Sequence, residues 1–274
     1  MAYSSEISRN NPSCFVFLID QSGSMDETLD FGKTKAQFVA DVLNKTIGSI
    51  ITRCTKDPSG IPRDYFEIAV ITYSGKGVSC GLTFQKLSEI YENPLKIEER
   101  IKKIDDGAGG LVEQKIKFPI WFEPVSSGGT PMCEAFAKTA NILKEWCKSH
   151  SDSYPPTVIN VTDGESSDGN PEEITSEIRN IVTNDGNCLL YNLHVNVENS
   201  DRIAFPDNES CLPTDSGKLL FRISSSVPDN KAIISAAKEH GFTIKPESKF
   251  FFYKADMEFI VKFFEIGTSP GNNR

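Results

Sequence analysis

Cys14-Phe15-Val16-Phe17-Leu18-Ile19-Asp20-Gln21-Ser22-Gly23-Ser24 joins an unbroken apolar run to a turn rich in side-chain oxygen. A short run without polar interruption reads as a strand covered on both faces, the kind found in a parallel sheet. Beyond it, Ala36, Val39, Leu43, Ile47 and Ile50 recur every three or four residues, which predicts an amphipathic helix. Working outward, Phe66–Tyr73, Thr157–Thr162, Leu189–Val197 and Lys249–Tyr253 read as further strands. Val78–Phe84 reads as a hairpin strand turned back at Ser74–Gly77. Helices are expected from Thr130-Pro131, with Thr130 as N-cap, from Asn170-Pro171, over Asp229–His240 and over Asp256–Ile266.

Strands alternating with helices imply an α/β fold, doubly wound. Its central sheet is mostly parallel, with one antiparallel edge strand and helices on both faces. One domain is expected over 13–267, after a polar, flexible N-terminus (1–12) and before a disordered tail (268–274). Two segments, 85–129 and 199–227, exceed what a compact fold needs and read as insertions. In the first, Leu87–Ile104 has partial helical spacing broken by Pro94, and Ile116–Phe122 reads as a short strand that Pro119 demotes to an edge or to non-strand. The second reads as irregular and polar.

In such sheets ligands bind beyond the carboxyl ends of the strands. Three segments fall there: Asp20-Gln-Ser22-Gly-Ser24, Gly128-Gly129-Thr130 and Asp163-Gly164. Two carboxylates and three hydroxyls form an all-oxygen set suited to a hard divalent cation, Mg2+ or Mn2+. Glu165 and Asp168 read as a solvated loop, and Lys33 as a solvated residue at a helix start.

Asp20-x-Ser22-x-Ser24, Thr130 in a Gly-Gly-Thr turn, and Asp163-Gly after an apolar strand resemble the von Willebrand factor A domain and its metal-ion-dependent adhesion site. The resemblance covers roughly residues 12–266 in the order of its elements. It implies that Ser22 and Ser24 bind the metal through hydroxyls, that Thr130 binds it directly when the site is engaged, and that Asp20 and Asp163 act through waters or second-layer hydrogen bonds. Neutral hydroxyls leave the ion's charge under-compensated, so it seeks a carboxylate from a protein partner. Stand-alone bacterial members of the tellurite-resistance-associated kind look most similar. They imply a cytoplasmic role in stress or signalling, beside kinases or phosphatases. Gly129, next to Thr130, and the aromatic pair Trp121 and Phe122 are the candidate partner-contacting residues, with a flank of the core as the other place for the aromatics.

Two other readings use the same edge. A metal-dependent phosphatase or hydrolase would need an acid two residues after Asp20, where Ser22 stands. A scaffold subunit would use the metal only to stabilise loops. No G-x-S-x-G elbow surrounds Ser22 or Ser24, and His150, His194 and His240 read as surface or packing residues, so the expectation is a binding module rather than an enzyme.

Composition narrows the classes. The 274 residues carry a formal net charge of −9, which argues against a general nucleic-acid binder. No run of 18 apolar residues occurs, so no membrane-spanning helix is expected. Residues 1–12 lack the apolar stretch of a secretory signal. Seven scattered cysteines, an odd number, suit a reduced cytoplasmic protein better than a disulfide scaffold.

Overall fold

The structure, a computed structural model, describes residues 3–29, 32–56, 60–105, 111–195, 201–254 and 262. Its centre is β1 (Ser13–Asp20), buried along its whole length. Side chains alternate across a strand. Phe15, Phe17 and Ile19 therefore enter one apolar cluster, while Cys14, Val16 and Leu18 enter another on the opposite face. Helix α1 (Lys35–Cys54) covers the first face and α3 (Met132–Ser149) the second.

The remaining elements are β2 (Phe66–Ser74), β3 (Gly77–Lys86), α2 (Leu87–Glu92), β4 (Lys96–Asp105), β5 (Leu111–Ile120), β6 (Thr157–Thr162), α4 (Glu172–Arg179), β7 (Val182–Thr183), β8 (Gly186–Asn187), β9 (Leu189–His194), β10 (Ile203–Ala204), α5 (Asp215–Ile223), α6 (Lys231–Glu239) and β11 (Phe251–Tyr253). The main sheet runs β10-β11-β9-β6-β1-β2-β3. β2, β1, β6, β9 and β11 are mutually parallel, and β3 is the antiparallel edge. The opposite edge ends in a second antiparallel strand, the two-residue β10. The order of the parallel strands brings the carboxyl ends of β1 and β6 side by side.

Three expectations change. The helical spacing over 87–104 gives only the short α2. After Pro94 the chain enters β4, which pairs with β5 in a separate two-stranded ribbon. The i, i+4 pair Ile97 and Ile101 fits both a helix and a strand, since four is also a multiple of the strand period. Pro119 opposes Ile97 in that ribbon, where an open edge tolerates a missing N–H. The polar segment 199–227 contains a core helix: α5 is capped by Thr214, whose side chain accepts from the Gly217 amide, and buries Leu220, Phe221 and Ile223. The N-terminal segment is tied to the body. The Asp185 carboxylate accepts from the amides of Ser4 and Ser5, and Asn230 Nδ2 donates to the Tyr3 carbonyl. The expected final helix and tail lie outside the described residues, apart from residue 262.

Among the described residues no helix is long and apolar enough to cross a membrane.

Candidate functional site

Asp20 ends β1 with 1% of its surface exposed. Its Oδ1 accepts from the Ser22 amide at 2.8 Å and its Oδ2 from the Thr162 hydroxyl at 2.7 Å. The first bond shapes the turn, which continues as a 3-10 segment over Gly23–Asp26 anchored by buried Met25. The turn brings the hydroxyls of Ser22 and Ser24 within 3.0 Å of each other. Ser22 is buried beneath, and Ser24 is exposed above.

The second loop is laced to the first through backbone. Ser127 N donates to Gln21 O at 2.8 Å, and Gly23 N donates to Gly128 O at 2.8 Å. Gly75, after β2, donates to Ser127 O at 3.0 Å. A Cβ on Gly75 would lie 2.6 Å from Gly128 Cα and 2.7 Å from Gly129 N, so this junction closes only between two residues without side chains. The third loop locks to the second: Ser167 N donates to Thr130 O at 2.9 Å, and Thr130 N donates to Ser167 Oγ at 2.8 Å. It locks to the sheet as well. Gly164 N donates to Thr162 Oγ1, and His194 Nε2 donates to the Asp163 carbonyl at 2.8 Å. The three segments carrying Asp20, Ser22, Ser24, Thr130 and Asp163 thus meet at one sheet edge.

Thr130 does not cap α3. Asp168 does so from the third loop, accepting from the amides of Cys133 at 3.0 Å and Glu134 at 2.9 Å. A carboxylate at a helix start meets both the free N–H groups and the positive end of the dipole. The Asp168 carboxyl accordingly sits below its ordinary pKa: these amide bonds and the Ser166 hydroxyl outweigh its partial burial, the largest single influence. Replacing Asp168 with alanine is expected to lower stability by about 1–2 kcal/mol, the size of a lost helix cap, read from chemical denaturation.

The electrostatics of the edge are unbalanced. Burial pushes the Asp20 carboxyl up to about 6, against the lowering effect of its hydrogen bonds to Ser22 and Thr162, and the nearby Asp163 carboxylate adds to the rise. The cation that does stand there is Lys35, the first residue of α1, only 4% exposed. Its Nζ lies 2.6 Å from Glu27 Oε2 and 3.3 Å from Asp163 Oδ2. Lys33, expected to be solvated, is half-exposed and pairs with Asp41. Among the described residues no cluster of three or more His, Cys, Asp or Glu side chains gathers as a cage. The donors here are two carboxylates and three hydroxyls, a different class of set.

The candidate partner-contacting residues divide. Gly129 is exposed beside Thr130. Trp121 instead belongs to the core cluster on the α1 face, its Nε1 donating to the Ile90 carbonyl at 2.7 Å and its ring against Gly48. Phe122 packs partly buried against the same cluster, its amide donating to Asn44 Oδ1. Asn44 lies nine residues into α1 from Lys35, about 13 Å along the axis at the helical rise, so both aromatics line the flank of the domain rather than its binding edge.

Sequence reasoning missed four supports of this edge: Thr162, Ser167, Asp168 and Lys35. The first three have a signal only in hindsight, as hydroxyls and carboxylates clustered around the third loop. Lys35 had a clearer one, since a lysine in the first turn of a helix opposes the dipole.

Comparison with known proteins identifies the family. The model of the von Willebrand factor type A domain matches residues 15–165. No curated protein sequence matches the chain. Among solved structures, the pilus adhesin SpaC from Lactobacillus rhamnosus GG superposes with a TM-score of 0.52 at 12% identity, over 93% of this chain and 30% of that one. At that identity the likeness shows the fold, and the chain spans less than a third of the adhesin's length. With more than half of its residues matched, and with three loops meeting at the carboxyl end of a parallel sheet, the chain belongs to the von Willebrand factor type A domain family, whose members generally serve as protein-interaction modules and are often metal-dependent.

Proposed function

We propose that this edge binds a magnesium or manganese ion and uses it to hold a carboxylate of a protein partner. Ser22, Ser24 and Thr130 would hold the ion through hydroxyls, and Asp20 and Asp163 would supply the negative charge behind them. The bound ion supplies an open position that attracts an anionic oxygen from outside the chain. What carries the reading is the buried, under-compensated Asp20 directly beneath the paired hydroxyls of Ser22 and Ser24, with the Lys35 ammonium as the counter-charge on neighbouring Asp163. The chain's own part is positioning: Asp20 fixes the first turn, Ser167 fixes the Thr130 backbone, and His194 fixes the Asp163 carbonyl.

The phosphatase reading is weaker. Both oxygens of Asp20 are committed to hydrogen bonds, and its side chain is sealed from solvent, so it presents no oxygen for attack on a substrate. We therefore read the chain as a binding module without catalysis. We extend the reading to an intracellular partner, since the free thiols, of which Cys14, Cys54, Cys147 and Cys188 are buried, fit a reducing compartment; a bacterial stress or signalling system with a kinase or phosphatase is what the resemblance alone implies.

Immobilised wild-type protein is expected to capture its partner from native lysate in magnesium and to release it in EDTA, while Thr130→Ala captures nothing in either. Equal capture by wild type and variant, or capture indifferent to EDTA, contradicts the reading.

A further inference from the structure

Lys35 stands against the proposed ion site but supplies none of its oxygens. A lysine this deeply buried needs carboxylates around it, and here it has two, Glu27 at 2.6 Å and Asp163 at 3.3 Å. Glu27 is half-exposed and belongs to the segment after the first loop, whereas Asp163 is largely buried and belongs to the third. The ammonium therefore clips two of the converging loops together. It also neutralises one of the two carboxylates on which the ion's charge would fall. The position is not one that helix formation favours, because the first turn of α1 presents the positive end of its dipole. The Thr34 capping box, with Thr34 and Gln37 exchanging hydrogen bonds, starts the helix without help from Lys35.

We infer that Lys35 is a tethered cation that sets how tightly the site holds a divalent ion, by competing for Asp163. This rests on the function proposed above. An arriving ion must displace the longer of the two lysine contacts, the one to Asp163, and the shorter contact to Glu27 remains to receive the ammonium. Lysine occupancy holds the loops together when the ion is absent and weakens the ion's hold when it is present. Removing the charge leaves the edge more negative by one, so ion affinity rises. Keeping the charge on a different head group preserves the competition.

Calorimetric titration of magnesium, and separately of manganese, into the full chain tests this. Lys35→Met is expected to bind either ion about tenfold or more tightly than wild type, the factor by which one nearby charge commonly shifts an ionic equilibrium. Lys35→Arg is expected to stay within about threefold of wild type, because the positive charge is retained. Thr130→Ala is expected to lose binding. If Lys35→Met is poorly folded by circular dichroism, Lys35→Gln carries the same expectation with a polar stem. Ion binding by wild type that Lys35→Met and Lys35→Gln leave unchanged or weaken overturns the role of Lys35 and leaves the ion site standing. Absence of binding in wild type and in the Lys35 variants overturns the ion site, and the role of Lys35 with it.

Discussion

In the presence of a chelator, the wild-type protein is expected to lose about 3 kcal/mol of stability relative to Asp20→Asn between about pH 4 and pH 7. The cause is the burial of Asp20 at the end of β1, which lifts its carboxyl from the ordinary 3.8 to about 6. A carboxyl whose pKa is higher in the folded chain than in the unfolded one binds its proton more tightly when folded. Its stabilising contribution is complete below the unfolded value and disappears as pH rises through the folded one. This is the reverse of a salt-bridged carboxylate such as Glu172, which its Arg222 partner holds below the ordinary range. Asparagine keeps the acceptor for the Ser22 amide and has no charge to bury, so the difference between the two proteins isolates the titration. Urea unfolding of both proteins across the range measures it. Parallel stability profiles contradict the placement of Asp20 as an uncompensated buried charge. Magnesium is expected to restore the wild type near neutral pH and to leave Asp20→Asn nearly unchanged, since an ion bound only to the folded chain stabilises it.

Gly75→Ala is expected to destabilise the protein by about 2–3 kcal/mol, at the upper end for overpacking, because the obstruction is backbone on every side. The new methyl group would meet Gly128 Cα at 2.6 Å, Gly129 N at 2.7 Å and Gly128 C at 3.0 Å. None of these atoms swings aside as a side chain does. Relief requires the loop carrying Thr130 to move off the end of β2, which strains the bond from Gly75 N to Ser127 O and the two that join this loop to the first, Ser127 N to Gln21 O and Gly23 N to Gly128 O. The substitution is therefore expected to weaken ion binding as well, although Gly75 contributes no side-chain oxygen. Gly77→Ala is the control: its Cβ would meet open space, and its cost is the backbone strain of a positive φ alone. Equal effects of the two substitutions in thermal denaturation contradict the loop contact.

Much of this was legible in the sequence because two periodicities were clean. The run ending at Ile19 admits a strand buried on both faces, and the oxygen-rich turns that follow it and Thr162 fall at neighbouring strand ends once the parallel order is set. Elsewhere the local signal was ambiguous or silent. Ile97 and Ile101 satisfy helix and strand alike, and tertiary pairing with β5 decided for the strand. The α5 helix lies in a stretch whose polar surroundings hid Leu220, Phe221 and Ile223. Trp121 pointed to an interface by residue type, yet the polar grip of Asn44 on the Trp121 and Phe122 amides holds that segment against α1. Lys35 carried a signal in its place against the helix dipole, but its partner was silent: only the fold brings Asp163, 128 residues away, to its ammonium. The oxygen set follows from local pattern, whereas the competing charge on it is a property of the assembled loops.

The most direct measurement is anomalous diffraction from crystals of the full chain grown with manganese. The expected result is a manganese peak bounded by the hydroxyls of Ser22, Ser24 and Thr130, with Lys35 turned from Asp163 toward Glu27. A map without a peak at that edge at saturating manganese, or with manganese bound only elsewhere while Lys35 keeps Asp163, contradicts the ion site.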